Sequence, residues 1–314
     1  MPAKKTVALT GFLVFPALFG FFYALRILTN GQAINHWLPG WYPISIIATL
    51  IVLERLYKYR DRVSQRAVLV RDVLANLTNL YATDALAALV LVPIFIFVPQ
   101  HLWGRLTLAA SPGQLGPLWL QIPAIMVMVS FLRYWVHRWQ HQNEFLWKLH
   151  SYHHRITDVQ ALNGFVSHPI DFALRNALVF LSVDFVGFHP LAMLIAIPAT
   201  LVSGFYSHCG ADMRMGFLNY LFVTPEVHRW HHSAEVPEGH RYSVNYAVEF
   251  SFWDIVFGTF HLPQKDGYAE QPQRIGHPDG LPDERNYLRL LLAPFGLYPP
   301  FPWLKRMSGA ARTP

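Results

Sequence analysis

The stretch "HRWQHQNEFLWKLHSYHH", residues 137–154, places five histidines in eighteen positions, and "HRWHH" at 228–232 adds three more. Eight of these imidazoles follow a regular spacing: His137-x3-His141, His150-x2-His153-His154 and His228-x2-His231-His232. On a helix, residues three and four apart lie on one side. Each cluster is therefore expected to present its imidazoles in one direction, as i,i+4 metal pairs do on metalloprotease helices. Twelve of the sixteen histidines fall between 137 and 240, interleaved with Trp135, Trp139, Phe145, Trp147, Tyr152 and Trp230. That aromatic interleaving predicts packed, ordered helices and argues against a low-complexity metal-storage loop. A pH sensor is also disfavoured, since closely spaced imidazoles cannot all protonate without strong like-charge repulsion. Metal ligation remains, whereas the isolated His36, His101, His189, His240, His261 and His277 are read as core or capping residues.

Outward from the clusters, the composition points to lipid. The 314 residues are 53% apolar and only 14% charged, well short of the roughly one-quarter charge of ordinary soluble domains. Residues 6–25 are uncharged and long enough to cross a bilayer, which takes about 20 apolar residues. Further spans are expected near 38–53, 74–98 (interrupted by Asp84) and 115–136. Basic residues crowd the amino terminus, the loop between the second and third spans, and the region after 136. All three are accordingly expected to face the cytoplasm. Residues 172–207, broken by "DFVGFHP", read as a helical hairpin whose halves are short for a full crossing. The hairpin returns the chain to the side it left, bringing 228–232 to the face that holds 137–154. The expected architecture is an all-α integral membrane protein with about four transmembrane helices plus a helical hairpin, and a cytoplasmic helical cap carrying a histidine-rich dimetal site. Residues 1–114 would form the N-terminal transmembrane helices, 115–262 the catalytic domain and 263–314 a cytoplasmic C-terminal tail.

Charge and cysteine usage remove other classes. The net charge of +6 lies in residues that flank apolar spans, which fits an anionic membrane surface and not nucleic acid. Cys209 is the single cysteine, so an internal disulfide and thiolate-rich zinc or iron–sulfur sites are excluded. Eight or more imidazoles imply two ions, yet imidazole suits zinc, copper, iron and nickel alike. A metal transporter would need ionisable ligands near the bilayer midplane. A zinc hydrolase would use three ligands and leave most of these histidines without a role. A polynuclear site at the membrane boundary is instead placed to oxidise C–H bonds of something dissolved in lipid, which requires oxygen-activating iron or copper.

The order H-x3-H, H-x2-HH, long apolar insert, H-x2-HH, then Asn245-Tyr246 and "WDIVFGT" at 253–259 resembles the fatty acid hydroxylase or sterol desaturase superfamily of integral membrane non-haem diiron oxidases. The resemblance covers roughly residues 115–262. It implies that His137, His141, His150, His153, His154, His228, His231 and His232 are iron ligands, with His150 and His231 indispensable to catalysis. By place it adds His208 in "SHCGAD" and, in the "HP" element, His168 as a ligand or an orienting residue. Asp158, Asp171, Glu226 and Asp254 are the nearest carboxylates that could accept a ligand's second N–H, and Asp212, four residues beyond His208, could do so or ligate directly. The resemblance further implies two Fe2+ ions, dioxygen as co-substrate, and hydroxylation or desaturation of a lipid or sterol. Because no "HPGG" haem module occurs, a separate electron donor is expected, a ferredoxin or cytochrome with its reductase. Alkylglycerol and aminolipid hydroxylases are alternatives within the superfamily. Alkylglycerol enzymes share a stretch like "FLWKLHSYHH" but carry glutamate where this chain has Gln142, which argues against a pterin cofactor. The terminal "GAARTP" lacks a retention signal, favouring a bacterial inner membrane over endoplasmic reticulum, with the active site on the cytoplasmic side.

Overall fold

The computed structural model describes residues 38–57, 59, 66–79 and 115–297. The expected spans at 6–25 and over most of 74–98 lie outside the described residues. Helices dominate: α1 Leu38–Leu56, α2 Arg66–Leu77, α3 Leu118–Gln142, α4 Glu144–His154, α5 Pro169–Val186, α6 Pro190–Ser207, α7 Pro225–His231, α8 Phe252–Val256 and α9 Tyr287–Leu292. Among the described residues, the paired strands are a short antiparallel hairpin of two residues each, β1 Gln264–Lys265 with β2 Tyr268–Ala269. Its turn is Asp266-Gly267, both at positive φ, as a tight hairpin turn requires.

Among the described residues, α3 and α6 are long and apolar enough to cross a membrane. The expected hairpin is present as α5 and α6. Gly187 turns the chain at φ 79°, and His189 caps α6 by accepting the Leu191 N–H at 3.1 Å on Nδ1. Helices α3, α5 and α6 pack through Ile125, Val129, Val179, Val183, Ala192 and Ala196. Lipid tails are as apolar as these side chains, so close van der Waals contact has to hold such a bundle together. The small residues Ala192 and Ala196, one turn apart, permit that approach.

One asparagine joins the first two histidine clusters. Asn143 ends α3 in an extended conformation and starts α4, its side chain accepting from Phe145 N and Leu146 N. The last turn of α3 is thereby folded back beside α4. On the other side, Glu54 near the end of α1 is buried and accepts 2.7 Å bonds from Ala161 N and Gly210 N. It fixes α1 to the segments before α5 and after α6. Arg229 of α7 is also buried, donating to the Cys209 and Ala211 carbonyls and lying over the Tyr59 ring. Thr224 caps α7 with Pro225 in its first turn, where a missing N–H costs nothing.

Residues beyond 263 are more than a tail as far as 297. Ala234 N donates to Arg274 O, Gly276 N donates to His232 O, and Ser233 bridges to Ile275. Leu290 packs with Tyr152, Val166 and Ala75, while the buried Arg71 pairs with Asp72 and Asp283.

Candidate metal centre

The structure brings nine histidines together in two groups. His137, His141, His150, His154 and His231 form one; His153, His208, His228 and His232 form the other. Every member is buried, and within each group the ligand nitrogens lie within 4.8 Å of one another. The groups adjoin, since the His154 and His232 rings stack at 4.5 Å and those of His153 and His154 stand 5.6 Å apart.

Each H-x2-HH cluster is split between the groups, which corrects the expectation that a cluster points one way. His150 and His154, four apart on α4, share a group, and the intervening His153 joins the other. His228 and His232 likewise share a group while His231 crosses over. The cause is helical phase. A step of four residues nearly closes a turn, whereas adjacent residues point about 100° apart. Adjacent histidines at the end of one helix can therefore serve two neighbouring ions.

Hydrogen bonds to the outer ring nitrogens fix how the inner ones face. The Nδ1 atoms of His137, His153 and His231 meet the carbonyl oxygens of Tyr246 (2.7 Å), Val166 (3.1 Å) and Val244 (2.8 Å). His150 Nδ1 meets Asp171 Oδ2 at 3.2 Å, and His208 Nδ1 meets Asn163 Oδ1 at 3.1 Å. These partners accept only, so the proton sits on Nδ1 and Nε2 turns a lone pair inward. Inside, His137 Nε2 lies 3.1 Å from His150 Nε2, and His228 Nε2 lies 2.8 Å from His208 Nε2. Among the described residues, the buried Nε2 atoms of His141, His154 and His231 have no hydrogen-bond partner. Converging lone pairs repel unless a cation sits between them, so this donor set fits two bound metal ions. Burial, reinforced by neighbouring imidazoles, also holds His208 and His231 down to about 3 and places His153, His154, His228 and His232 well below the usual histidine range. Neutral imidazole is the metal-binding form.

Residues 244–261 form a brace for His137 and His231. Asn245 occupies the left-handed region at φ 54°, which asparagine enters more readily than other residues with a side chain. Its amide bonds the Val227 and His261 carbonyls and the His261 N–H at 2.7–3.0 Å. Asp254, fully buried, accepts from Tyr246 N, Ala247 N and Thr259 Oγ1. Burial pushes its carboxyl up to about 7. Asp254 thus acts one step from the imidazoles, by anchoring the loop whose carbonyls receive the His137 and His231 protons.

Of the other proposed carboxylates, Asp171 does contact a clustered histidine, and it also accepts from Gln140. Asp158 bonds Gln160, Glu226 bonds Met215 N and Asn219, and Asp212 pairs with Arg214 at 3.0 Å. None of these three belongs to either group. His168 is outside both groups as well. Its Nδ1 accepts the Ile170 N–H and its Nε2 meets Leu291 O at 3.0 Å, so both nitrogens are used in capping α5 and tying it to α9. Among the isolated histidines, His277 caps the Asp279 N–H and His261 packs edge-on against Trp230. The Tyr246, Val244 and Val166 carbonyls were invisible to a reading of side chains. Gln140 and Asn163, by contrast, stood four or fewer residues from a motif histidine or in the loop that follows it.

A pocket of about 510 Å³, counting its open mouth, reaches the histidines from the side of α5 and α6. His137, His153, His208 and His228 line one end, with Phe165, Phe172, Thr200 and Gly204 along it.

With this geometry in place, comparison with known proteins is direct. Residues 122–259 match the fatty acid hydroxylase family. The chain is 35% identical over 150 residues, 48% of its own length, to the ornithine lipid hydroxylase OlsE of Rhizobium tropici, of which it spans 44%. It is 28% identical over 217 residues to the very-long-chain aldehyde decarbonylase GL1-9 of Oryza sativa subsp. indica, covering 66% of this chain and 73% of that one. The human alkylglycerol monooxygenase is 29% identical over 141 residues, 42% of this chain and 28% of that protein. The family description and two of these names, a lipid hydroxylase and a monooxygenase, indicate an oxidoreductase type. No solved structure matches.

Proposed function

We propose that this protein is an oxygen-dependent membrane lipid oxidase whose nine clustered histidines hold two iron ions. The observation that carries the reading is the convergence of nine buried imidazoles into two adjoining groups of five and four. Iron, when bound there, supplies the dioxygen activation needed to break an unactivated C–H bond. His137, His141, His150, His154 and His231 would hold one ion, and His153, His208, His228 and His232 the other.

The remaining residues orient and exclude. Asp171, Asn163 and the carbonyls of Tyr246, Val244 and Val166 hold the ring tautomers. Phe165 and Phe172 give the pocket an apolar wall beside the histidines, which keeps water from a reactive site. The overall reaction for hydroxylation is C–H plus O2, two electrons and two protons giving C–OH plus water. In desaturation two hydrogens leave adjacent carbons and both oxygen atoms become water. A ferredoxin or cytochrome with its reductase would supply the electrons from the cytoplasmic side of a multi-pass, bacterial inner-membrane protein. A zinc-dependent hydrolase is the poorer reading, because three ligands and an open position suffice for it.

The test is purification of the full chain followed by metal analysis, turnover under 18O2, and lipid profiling of cells with and without the gene. Expected are two irons per chain and a lipid that gains one labelled oxygen or loses two hydrogens. His150→Ala and His231→Ala should abolish turnover while the protein stays in the membrane. Full activity in either variant, or product formed without oxygen, would overturn the proposal.

A further inference from the structure

Two arginines line the pocket, and their surroundings differ. Arg133 of α3 is buried, pairs with Glu249 at 2.5 Å and donates to Asn176 at 3.4 Å. Arg175 of α5 lies over the Phe172 ring at 5.5 Å, and no hydrogen bond or ion pair joins it to another of the described residues. It is half-buried and faces the same pocket as His137, His153, His208 and His228. Helical phase explains this direction. Arg175 stands four residues after Asp171, which contacts His150, so both project from one face of α5 toward the metal groups. Asn176, Thr200 and Ser207 add polar atoms around it.

Asp171 and Glu249 lie within electrostatic range of Arg175, but their hydrogen bonds go elsewhere, to His150 and Gln140 and to Arg133; the guanidinium's own N–H donors are left for an oxygen ligand, and such residues in an apolar bundle mark ligand sites. Planar and always charged, it suits a carboxylate or phosphate, each of which can accept two parallel hydrogen bonds. We infer that Arg175 binds an anionic oxygen group of the substrate lipid, so that the oxidised carbon lies near the lipid's polar end and not deep in an acyl tail. The shared lining supports this: Arg175 and four of the metal-group histidines line one pocket, which would hold the anion and the reacting carbon in the same cleft.

The inference rests on the lipid-oxidase reading, and the experiment separates the two. Native mass spectrometry of the iron-loaded full chain in detergent would compare retention of dipalmitoyl phosphatidate with dipalmitoylglycerol, and of palmitate with its methyl ester. One charge-assisted pair corresponds to roughly tenfold or more in affinity, so wild type should prefer the anionic member of at least one pair by about that factor. Arg175→Gln should lose the preference with iron content unchanged, and Arg175→Lys should restore part of it. Preference in the phosphate pair alone identifies a phospholipid headgroup, and in the carboxylate pair alone an acyl carboxylate. Equal retention by wild type within both pairs overturns the inference without any variant, as does a preference that survives Arg175→Gln. Iron and oxygen-dependent turnover with no anion preference would sink this inference and leave the oxidase reading standing. Anion preference without iron would do the reverse.

Discussion

Asp171→Asn tests whether the polar partners of the histidines position the metals. Asp171 accepts from Gln140 Nε2 through one oxygen and from His150 Nδ1 through the other. Asparagine keeps the shape but only one acceptor. If its oxygen faces His150, its NH2 opposes the Gln140 NH2; if it faces Gln140, the NH2 opposes the His150 Nδ1–H. In the second arrangement the imidazole must move its proton to Nε2, the nitrogen that faces the other ligands, and can no longer bind metal with that lone pair. A hydrogen bond to a charged group contributes about 1.5–3 kcal/mol, and about 1.4 kcal/mol is tenfold in affinity. Iron affinity should therefore fall roughly ten- to a hundredfold, the range typical of partners that support metal-bound histidines. The assay is competition of the purified variant against a chelator of known affinity, with turnover measured on the same samples. Gln140→Leu leaves His150 its carboxylate and should lose much less. An Asp171→Asn protein with wild-type iron affinity and turnover would refute the reasoning.

Three further outcomes follow from the same geometry. Asn245→Ala loses three hydrogen bonds to Val227 and His261 and leaves alanine at a strained φ, so it should cost about 3 kcal/mol and shed iron. Asn245→Gly should recover the roughly 1 kcal/mol of backbone strain and no more, as read by paired thermal melts. A Cβ at Gly204 would stand 2.9 Å from the Phe165 ring. Gly204→Ala should therefore push that ring into the pocket, at about 1–3 kcal/mol, and shift substrate preference more than iron content; an unchanged product profile would count against this pocket as the substrate site. Acid should destabilise iron-depleted protein, because the unfolded chain binds protons as pH falls through about 6.5 while folded His208 and His231 wait until about 3. The loss is roughly 2 kcal/mol per such imidazole between pH 6.5 and pH 5. Iron should suppress it over the upper part of that range, and a melting temperature flat across this interval would exclude the neutral, buried state of these rings.

The sequence by itself determined which eight histidines would gather, because spacings of three and four are read directly as positions on a helix, and it placed the α5–α6 hairpin from Gly187, His189 and Pro190. It also carried the family pattern through residues 253–259. Only the tertiary structure decided how the histidines divide. His153 and His154 are neighbours in sequence yet belong to different groups, since that choice depends on what α6 and α7 bring opposite α4. His208 has no local partner in sequence and enters its group at the end of α6, whereas His168 sits in an apparently equivalent motif and is spent on Ile170 and Leu291. Carbonyls that fix tautomers leave no trace in residue type, because every residue has one. Periodicity fixes the direction a side chain takes from its own helix, but which lone pairs meet is set by the packing of helices far apart in the chain.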